Sequence, residues 1–406
     1  MVSEIVSEIE SRMDNLVKVR RSIHAHPELG FQEHRTAGLI VEQLALLDIE
    51  AHAGIGGTGV VGVVRGKRGK GARAVGLRAD MDALPLLELT DLPYKSAASG
   101  RMHACGHDGH VAMLLAAGGY LQANRDFEGT VYLIFQPAEE GVGGGKAMVE
   151  DGLFDRFPMD SIYALHNWPS LPLGTVSVVE GPVMAAADRI HVTIRGVGGH
   201  GGMAPHRAVD PILVAGHVIT AVHHIVSRNV DPLEHAVISL CGIHAGSMEG
   251  FAVVPDSVEI VGTARSLNPS VQALLERRLN EVVTAVASAW GTHAEVRYER
   301  LFPMTINSRY ETQLAVEVAS ELLGSSQVRT SSKPSMAGED FAFMLQERPG
   351  AYIHLGTGTG HGDVELHNPH FDFNDRAIPI GGALLAGIAR RSLKARGVEY
   401  GDSKGE

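Results

Sequence analysis

The sequence has little of what marks secreted or membrane proteins. Its two cysteines, Cys105 and Cys241, are too few for a disulfide framework and fit a reducing compartment. No apolar run approaches the length that crosses a membrane. The first residues alternate acids with Ile and Val, and no basic segment precedes an apolar one. We therefore expect no signal peptide, no membrane partner and a cytoplasmic location.

Positive charge is also scarce. The chain has 35 Lys and Arg against 47 Asp and Glu, a formal net charge of −12. That balance argues against a phosphate-binding surface, so no nucleic-acid partner is expected. With 44% hydrophobic and 20% charged residues the composition is that of a soluble globular protein. Because 406 residues exceed one ordinary core, we expect two domains.

Residues 102–110 hold three histidines, an aspartate and Cys105, and an apolar run at 111–117 predicts that a helix begins here. Cys105 and His107, two apart in a turn at a helix start, can face one point, where the helix dipole favours a thiolate. One hypothesis makes both residues metal ligands. The alternative makes Cys105 a small buried hydrophobe beside capping histidines. A metal site needs further ligands from elsewhere in the chain.

Several predicted strands end in polar residues. Residues 74–79 predict a buried strand that ends at Asp80 and Asp82. If the strand continued, these two acids would point to opposite sides, and only one would face a site. The other would be a turn or helix-capping acid.

The strand predicted over 129–135 leads to Glu139 and Glu140. Adjacent carboxylates after a buried strand favour a metal, with one Glu as ligand and the other as general base; a solvated acidic loop is the alternative. Strands at 161–165 and 351–355 lead to His166 and, after a turn, His367. Four such strand ends bearing Cys/His, Glu/Glu, His and His together predict a metal centre.

Other segments predict the architecture. Residues 3–22 predict one amphipathic helix, and the glycines at 54–59 predict a hairpin or strand connection, since no phosphate-loop Lys follows. Strands at 188–195, 236–242, 257–265 and 294–300, with helices at 210–227 and 269–290, have the order of a ferredoxin-like unit. This unit is inserted between the strands that carry His166 and His367.

Taken together, the motifs resemble the aminoacylase and glutamate-carboxypeptidase family of two-metal metallopeptidases. Within it, the chain is similar to the amidohydrolase branch of hippurate hydrolase and the auxin–amino-acid conjugate hydrolases. The matching stretches run in family order along nearly the whole chain and are RRSIHAHPE (20–28), RADMDALP (78–85), HACGHD (103–108), QPAEEG (136–141), LHN (165–167), GGHG (198–201), GTAR (262–265), GEDF (338–341) and LHNP (366–369).

The resemblance implies an α/β fold: a mixed-sheet catalytic domain (1–186 and 300–406) with helices on both faces, and an inserted ferredoxin-like βαββαβ lid and dimerisation domain (187–299). It also implies two divalent metal ions, of Mn, Zn, Co or Ni, that share Cys105. The remaining ligands would be Glu140 and His367 on one ion, and His107 and His166 on the other. Glu139 would be the general base, and Asp82 would orient a ligand.

In the lid, the resemblance makes His200 a transition-state imidazole, reaching a partner subunit's site, and Arg265 the group that binds the substrate carboxylate. The plain alternatives are a turn histidine and a strand-end salt bridge. A homodimer or dimer of dimers is implied. Ala252 departs from the family, which usually has an asparagine there.

The implied activity is hydrolysis of N-acyl amino acids, such as hippurate-like aryl-acyl conjugates, to a carboxylic acid and an amino acid. The alternatives are a dipeptidase or aryl-amine or amide hydrolase with the same centre, or a non-catalytic metal-binding relative.

Overall fold

The computed structural model describes residues 2–69, 73–360 and 364–394, which divide into two compact units. Unit 1 comprises Met1–Gly181, Ile306–Lys333 and Asp340–Glu406, and unit 2 comprises Pro182–Thr305 and Pro334–Glu339. Nowhere in the described ranges is a helix both long and apolar enough to span a membrane.

The strands are, in chain order, β1 (Glu50–Ile55), β2 (Gly59–Arg65), β3 (Ala74–Asp80), β4 (Thr130–Gln136), β5 (Ser161–Pro172), β6 (Val176–Ser177), β7 (Gly181–Met184), β8 (Ala186–Arg195), β9 (Gly199–His200), β10 (Ala236–Ala245), β11 (Val253–Val254), β12 (Ser257–Ser266), β13 (His293–Phe302), β14 (Thr305–Asn307), β15 (Val328–Arg329) and β16 (Gly350–Gly358).

The helices are, in chain order, α1 (Val2–Glu10), α2 (Met13–Ala25), α3 (His34–Leu46), α4 (His107–Ala123), α5 (Gly144–Glu150), α6 (Leu153–Arg156), α7 (Pro211–Asn229), α8 (Pro269–Ala289), α9 (Arg309–Leu323), α10 (Phe341–Glu347) and α11 (Ile378–Ser392).

Unit 1 is built on a mixed eight-stranded sheet in the order β1-β2-β4-β3-β5-β16-β6-β15. Strand β3 runs parallel to both β4 and β5, and β5 runs parallel to β16. The carboxyl ends of these four strands therefore meet at one edge of the sheet, where α/β proteins place their sites. The α/β prediction with a mixed sheet is confirmed.

Helix α4 forms the centre of the unit 1 core. Its residues from His107 to Leu121 are all buried, so the helix is apolar on every side after its first turn. It packs against α11, where a Cβ atom at Gly381 would collide with the Met113 side chain. Glycine at this position lets the two helices approach closely.

Unit 2 has a four-stranded antiparallel sheet in the order β10-β12-β8-β13, with α7 and α8 packed on it. The element order and sheet order match the predicted ferredoxin-like unit. Asp210 and Asn268 cap the two helices by accepting hydrogen bonds from Ile212 N and Ser270 N, and proline follows each cap. These are standard start signals, which explains why the two helix starts were readable in the sequence.

Two local predictions were wrong. Residues 3–22 are not one helix, because the chain breaks at Ser11 and Arg12, where the Ser11 hydroxyl donates to Glu8 O. Asp80 and Asp82 do not diverge, because β3 ends at Asp80 and the strand alternation ends with it. Both acids are buried and contact histidines of α4. The hairpin connection after β1 is confirmed.

Candidate metal centre

The turn before α4 sets the position of the Cys–His segment. Gly106 precedes the helix with a φ of 89°, in the left-handed region. A Cβ atom there would also collide with the Asn167 side chain, so glycine is required twice over. The tight turn leaves Cys105 and His107 both buried at the carboxyl edge of the sheet.

Cys105, Glu140 and His367 come together although they are far apart in sequence. One ligand atom from each lies within 4.8 Å of the others. The Nε2 atom of His367 is 3.3 Å from Glu140 Oε1. His367 has a φ of 61°, and its backbone N donates to Ala104 O at 2.8 Å. That hydrogen bond ties the loop carrying His367 to the residue before Cys105.

His107 and His166 are the other two predicted ligands, and His166 contacts the same cysteine. The Nε2 atom of His166 lies 3.5 Å from Cys105 Sγ, and its Nδ1 donates to Asn167 O at 2.8 Å. His107 Nδ1 is 3.0 Å from Asp82 O and 3.2 Å from Asp82 Oδ1. In both rings a backbone or carboxylate oxygen holds Nδ1, and this leaves Nε2 free to bind a metal.

The donor set fits divalent cations. His107 Nε2 is buried without a hydrogen-bond partner in the described residues, 4.0 Å from Glu140 Oε1. Burial first, and then Glu140 and Glu139, raise the pKa of the Cys105 thiol; burial and then His110 lower the pKa of His166. A neutral imidazole is the ligand form, and a thiolate among carboxylates needs a nearby cation.

Asp80 and His110 form a buried hydrogen-bonded pair next to the predicted ligands His107 and His166. His110 Nδ1 is 2.5 Å from Asp80 Oδ1, and its Nε2 accepts from Asn167 N at 3.0 Å. Burial would raise the pKa of Asp80, but His107, His110 and Arg78 outweigh it and hold the pKa well below its usual range. His110 therefore uses both ring nitrogens within the protein. In the sequence, Asn167 is marked only by its place in the LHN stretch at 165–167.

Glu139 lies beside the predicted ligands. It is 7% exposed and groups with His107 and Glu140 around one point. Asp82 links the two parts of the centre, because its Oδ2 accepts from Glu140 N at 2.9 Å while its Oδ1 faces His107 Nδ1. One buried carboxylate thus orients both an imidazole and the loop that carries Glu139.

His200 and Arg265 belong to unit 2. His200, on β9, is exposed and pairs with Val253; its Nδ1 accepts from Gly202 N and Met203 N at 3.2 and 3.1 Å. The neighbouring Ala252 contributes its carbonyl to the same turn, accepting from Gly201 N at 2.8 Å. Arg265 lies on β12, and burial lowers its pKa. The roles of both residues stay predictions.

A buried ionic cluster supports α4 near its start. Arg20 contacts Asp108 at 3.4 Å and Asp372 at 3.0 Å, and His24 lies between Asp108 and Glu88. Burial alone would lower the pKa of His24, but the hydrogen bonds to Asp108 and Glu88 outweigh it and raise the pKa to about 9. His24 is therefore a cation at neutral pH.

We expect this cluster to make the protein less stable at alkaline pH. A histidine whose pKa is raised on folding stabilises fully below its unfolded pKa, near 6.5, and loses the effect as pH rises through about 9. Between pH 7 and 10 the free energy of unfolding should fall by about 2 to 3 kcal/mol from this group. Urea unfolding at both pH values measures it. The variant His24→Gln, neutral throughout, should decline less; an equal decline would assign the loss to other groups.

Comparison with known proteins gives matches along most of the chain. The model described as "Peptidase family M20/M25/M40" matches residues 76–391. A hippurate hydrolase of Campylobacter jejuni is 40% identical over 390 residues, covering 96% of this chain and 100% of that protein. Thermostable carboxypeptidase 1 of Saccharolobus solfataricus is 38% identical over 362 residues, covering 88% of this chain and 89% of that protein.

A solved structure is also similar. It is that of the YxeP protein of Bacillus subtilis, described as a dinuclear metal-binding peptidase. It superposes with a TM-score of 0.80 at 32% identity, covering 94% of this chain and 98% of that one.

Proposed function

Because the chain belongs to the peptidase family M20/M25/M40 and is a metal-dependent amidohydrolase, we propose that it cleaves the amide bond of N-acyl amino acids. The products are a carboxylic acid and an amino acid. The observation that carries the proposal is the convergence of Cys105, Glu140 and His367 on one point, with Glu139 buried beside them. Similarity to a hippurate hydrolase over its whole length supports an aryl-acyl substrate.

The predicted ligands would hold two divalent ions. Cys105 would serve both ligand sets, Glu140 and His367 would complete one, and His107 and His166 would complete the other. The dinuclear centre named for the similar solved structure supports this number. When bound, the ions supply Lewis-acid chemistry that polarises the amide carbonyl and acidifies a water molecule. The soft thiolate leaves Mn²⁺, Zn²⁺, Co²⁺ and Ni²⁺ as candidates.

Glu139 moves the proton. Its carboxylate takes a proton from the attacking water and delivers it to the leaving amine, which must be protonated before it departs. Burial keeps competing solvent away from that carboxylate. Asp82 orients His107 and the Glu140 backbone. The positions of these ligands relative to Glu139 therefore stay the same during the reaction.

The second unit provides groups for substrate. We assign residues 187–299 to a lid and dimerisation domain, with 1–186 and 300–406 as the catalytic domain. His200 stabilises the developing negative charge, in the site of a partner subunit, and Arg265 binds the substrate carboxylate. The proposed assembly is a homodimer or dimer of dimers, and the proposed location is the cytoplasm.

Hydrolysis of peptides is the second candidate function. It is favoured by the similarity to a carboxypeptidase of Saccharolobus solfataricus. The same centre would serve, because a dipeptide and an N-acyl amino acid share the scissile amide and the free carboxylate.

The test is a hydrolysis screen with the metal varied. Hippurate, other N-acyl amino acids, dipeptides and aryl amides are offered to protein that has been treated with a chelator and reloaded with each metal in turn. We expect turnover of aryl-acyl amino acids to vanish on chelation and return with Mn²⁺ or Zn²⁺. Faster turnover of dipeptides would favour the second function. Full activity in the metal-free protein would contradict both.

A further inference from the structure

The loop that carries Glu139 contains an unusual backbone conformation. Ala138, fully buried, has a φ of 51°, in the left-handed region that residues with a Cβ atom rarely adopt. The turn follows the end of β4 and sets the direction in which the next residue, Glu139, leaves the sheet. Within the loop, Gly144 N donates to Ala138 O at 2.9 Å, and a contact from outside the loop adds to this hydrogen bond.

Glu33 contacts this turn directly. Its Oε1 accepts a hydrogen bond from Ala138 N at 2.8 Å, and its Oε2 accepts one from the Thr58 hydroxyl at 2.6 Å. The side chain is fully buried, at the start of α3, while Thr58 lies in the β1–β2 connection. One carboxylate therefore joins three segments of unit 1 that are distant in sequence.

Burying the Glu33 carboxylate is unfavourable, and Glu33 takes part in no step of the proposed reaction. Burial raises the pKa of Glu33, and the hydrogen bond from Thr58 opposes that rise. Glu33 belongs to none of the candidate metal-binding groups found among the described residues. The two hydrogen bonds that Glu33 accepts therefore account for its burial.

The residue after Glu139 is held in the same way. Glu140 N donates to Asp82 Oδ2 at 2.9 Å, so the backbone N–H groups of the residues before and after Glu139 both donate to buried carboxylates. Asp82 already has a proposed role in orienting His107. Resting on the proposed function, we infer that Glu33 is a positioning residue: it fixes the left-handed turn at Ala138 and thereby aims the Glu139 carboxylate.

The first test separates positioning from folding by two substitutions at Glu33. Glu33→Ala removes both hydrogen bonds, and kcat should fall about 10- to 100-fold, as expected when a reacting group is misplaced by about 1 Å. KM and the number of bound metal ions should stay unchanged. Glu33→Gln should restore kcat, because its amide oxygen can accept from Ala138 N and its amide nitrogen can donate to the Thr58 oxygen.

Glu28→Ala is the matched control. Glu28 is also an acid before α3, and it accepts from Arg35 N, Thr36 N and the Thr36 hydroxyl at 2.8 to 3.0 Å. Its removal weakens the same helix start without touching Ala138, so stability should fall while kcat stays within about twofold. An equal loss of kcat in Glu28→Ala and Glu33→Ala would reduce Glu33 to a structural role and overturn the inference.

A second measurement is independent of catalysis. Hydrogen exchange of the Ala138 amide, followed in metal-free protein, should be faster in Glu33→Ala than in wild type and slow again in Glu33→Gln. If Glu33→Ala does not fold, Thr58→Val serves, because it leaves the carboxylate but removes the donor to Oε2. Unchanged exchange and unchanged kcat in the folded variant would overturn the inference. Absence of turnover in wild type would contradict the proposed function instead, and the exchange result would still decide whether Glu33 holds the turn at Ala138.

Discussion

Replacing Glu139 by glutamine should lower kcat by about 10²- to 10⁴-fold, the range that a positioned general base contributes. Glutamine keeps the size and hydrogen-bonding length of the side chain but cannot take a proton at neutral pH. Glu139 is buried among the predicted ligands and is not itself assigned to an ion, so metal content should not change. Steady-state kinetics on hippurate, with metal analysis of the same sample, measures both quantities.

Glu150→Gln makes a suitable control for Glu139→Gln. Glu150 ends α5 in the same stretch of chain, is exposed and pairs with Lys146. The same chemical change there should leave kcat unaltered. Undiminished activity of Glu139→Gln on every amide tested would contradict the general-base role.

Cys105→Ala should lose metal and, with it, turnover. The Cys105 thiol lies 3.5 Å from His166 Nε2 and within 4.8 Å of ligand atoms from Glu140 and His367, which supports the proposal that both ligand sets share it. Removing it should weaken binding by more than the roughly 10- to 100-fold that loss of an outer partner of a ligand costs. Metal analysis after dialysis should find fewer than two ions per chain.

Cys241→Ala is the control that this chain supplies. Cys241 lies exposed on β10 in unit 2, away from every predicted ligand in sequence, so its removal should change neither metal content nor rate. A Cys105→Ala protein that still binds two ions with unaltered affinity would disprove the shared thiolate. The carboxylate variant Cys105→Asp should retain part of the affinity, because oxygen ligands also suit Mn²⁺.

Much of the fold was predictable because its signals are local. The continuous apolar runs of β4 and α4, the Asp–Pro and Asn–Pro starts of α7 and α8, and the glycines between β1 and β2 each act within a few residues. The prediction of one helix over 3–22 was wrong because it relied on apolar spacing, which continues through Ser11 and Arg12. In the structure the first helix ends there, where the Ser11 hydroxyl donates to Glu8 O.

The site was predictable to a different extent. The types of residue at the strand ends predicted a metal centre, and the resemblance to the metallopeptidase family implied which residues hold each ion. Neither could predict which ring nitrogen of His107 is held by Asp82, or that Asp80 and Asp82 both turn inward, because these depend on where β3 stops relative to α4.

Residue type and short-range spacing were enough to predict four strands of the large sheet, the four strands of the smaller sheet, the buried helix α4 and a set of residues proposed to bind metal. How those residues are oriented depends on contacts that exist only in the folded chain. Glu33 and Ala138 are 105 positions apart, and Asp82 and Glu140 are 58 apart. Hydrogen bonds over such separations leave no periodic trace in the chain. They form only when packing brings the segments together and excludes the water that would otherwise satisfy both partners.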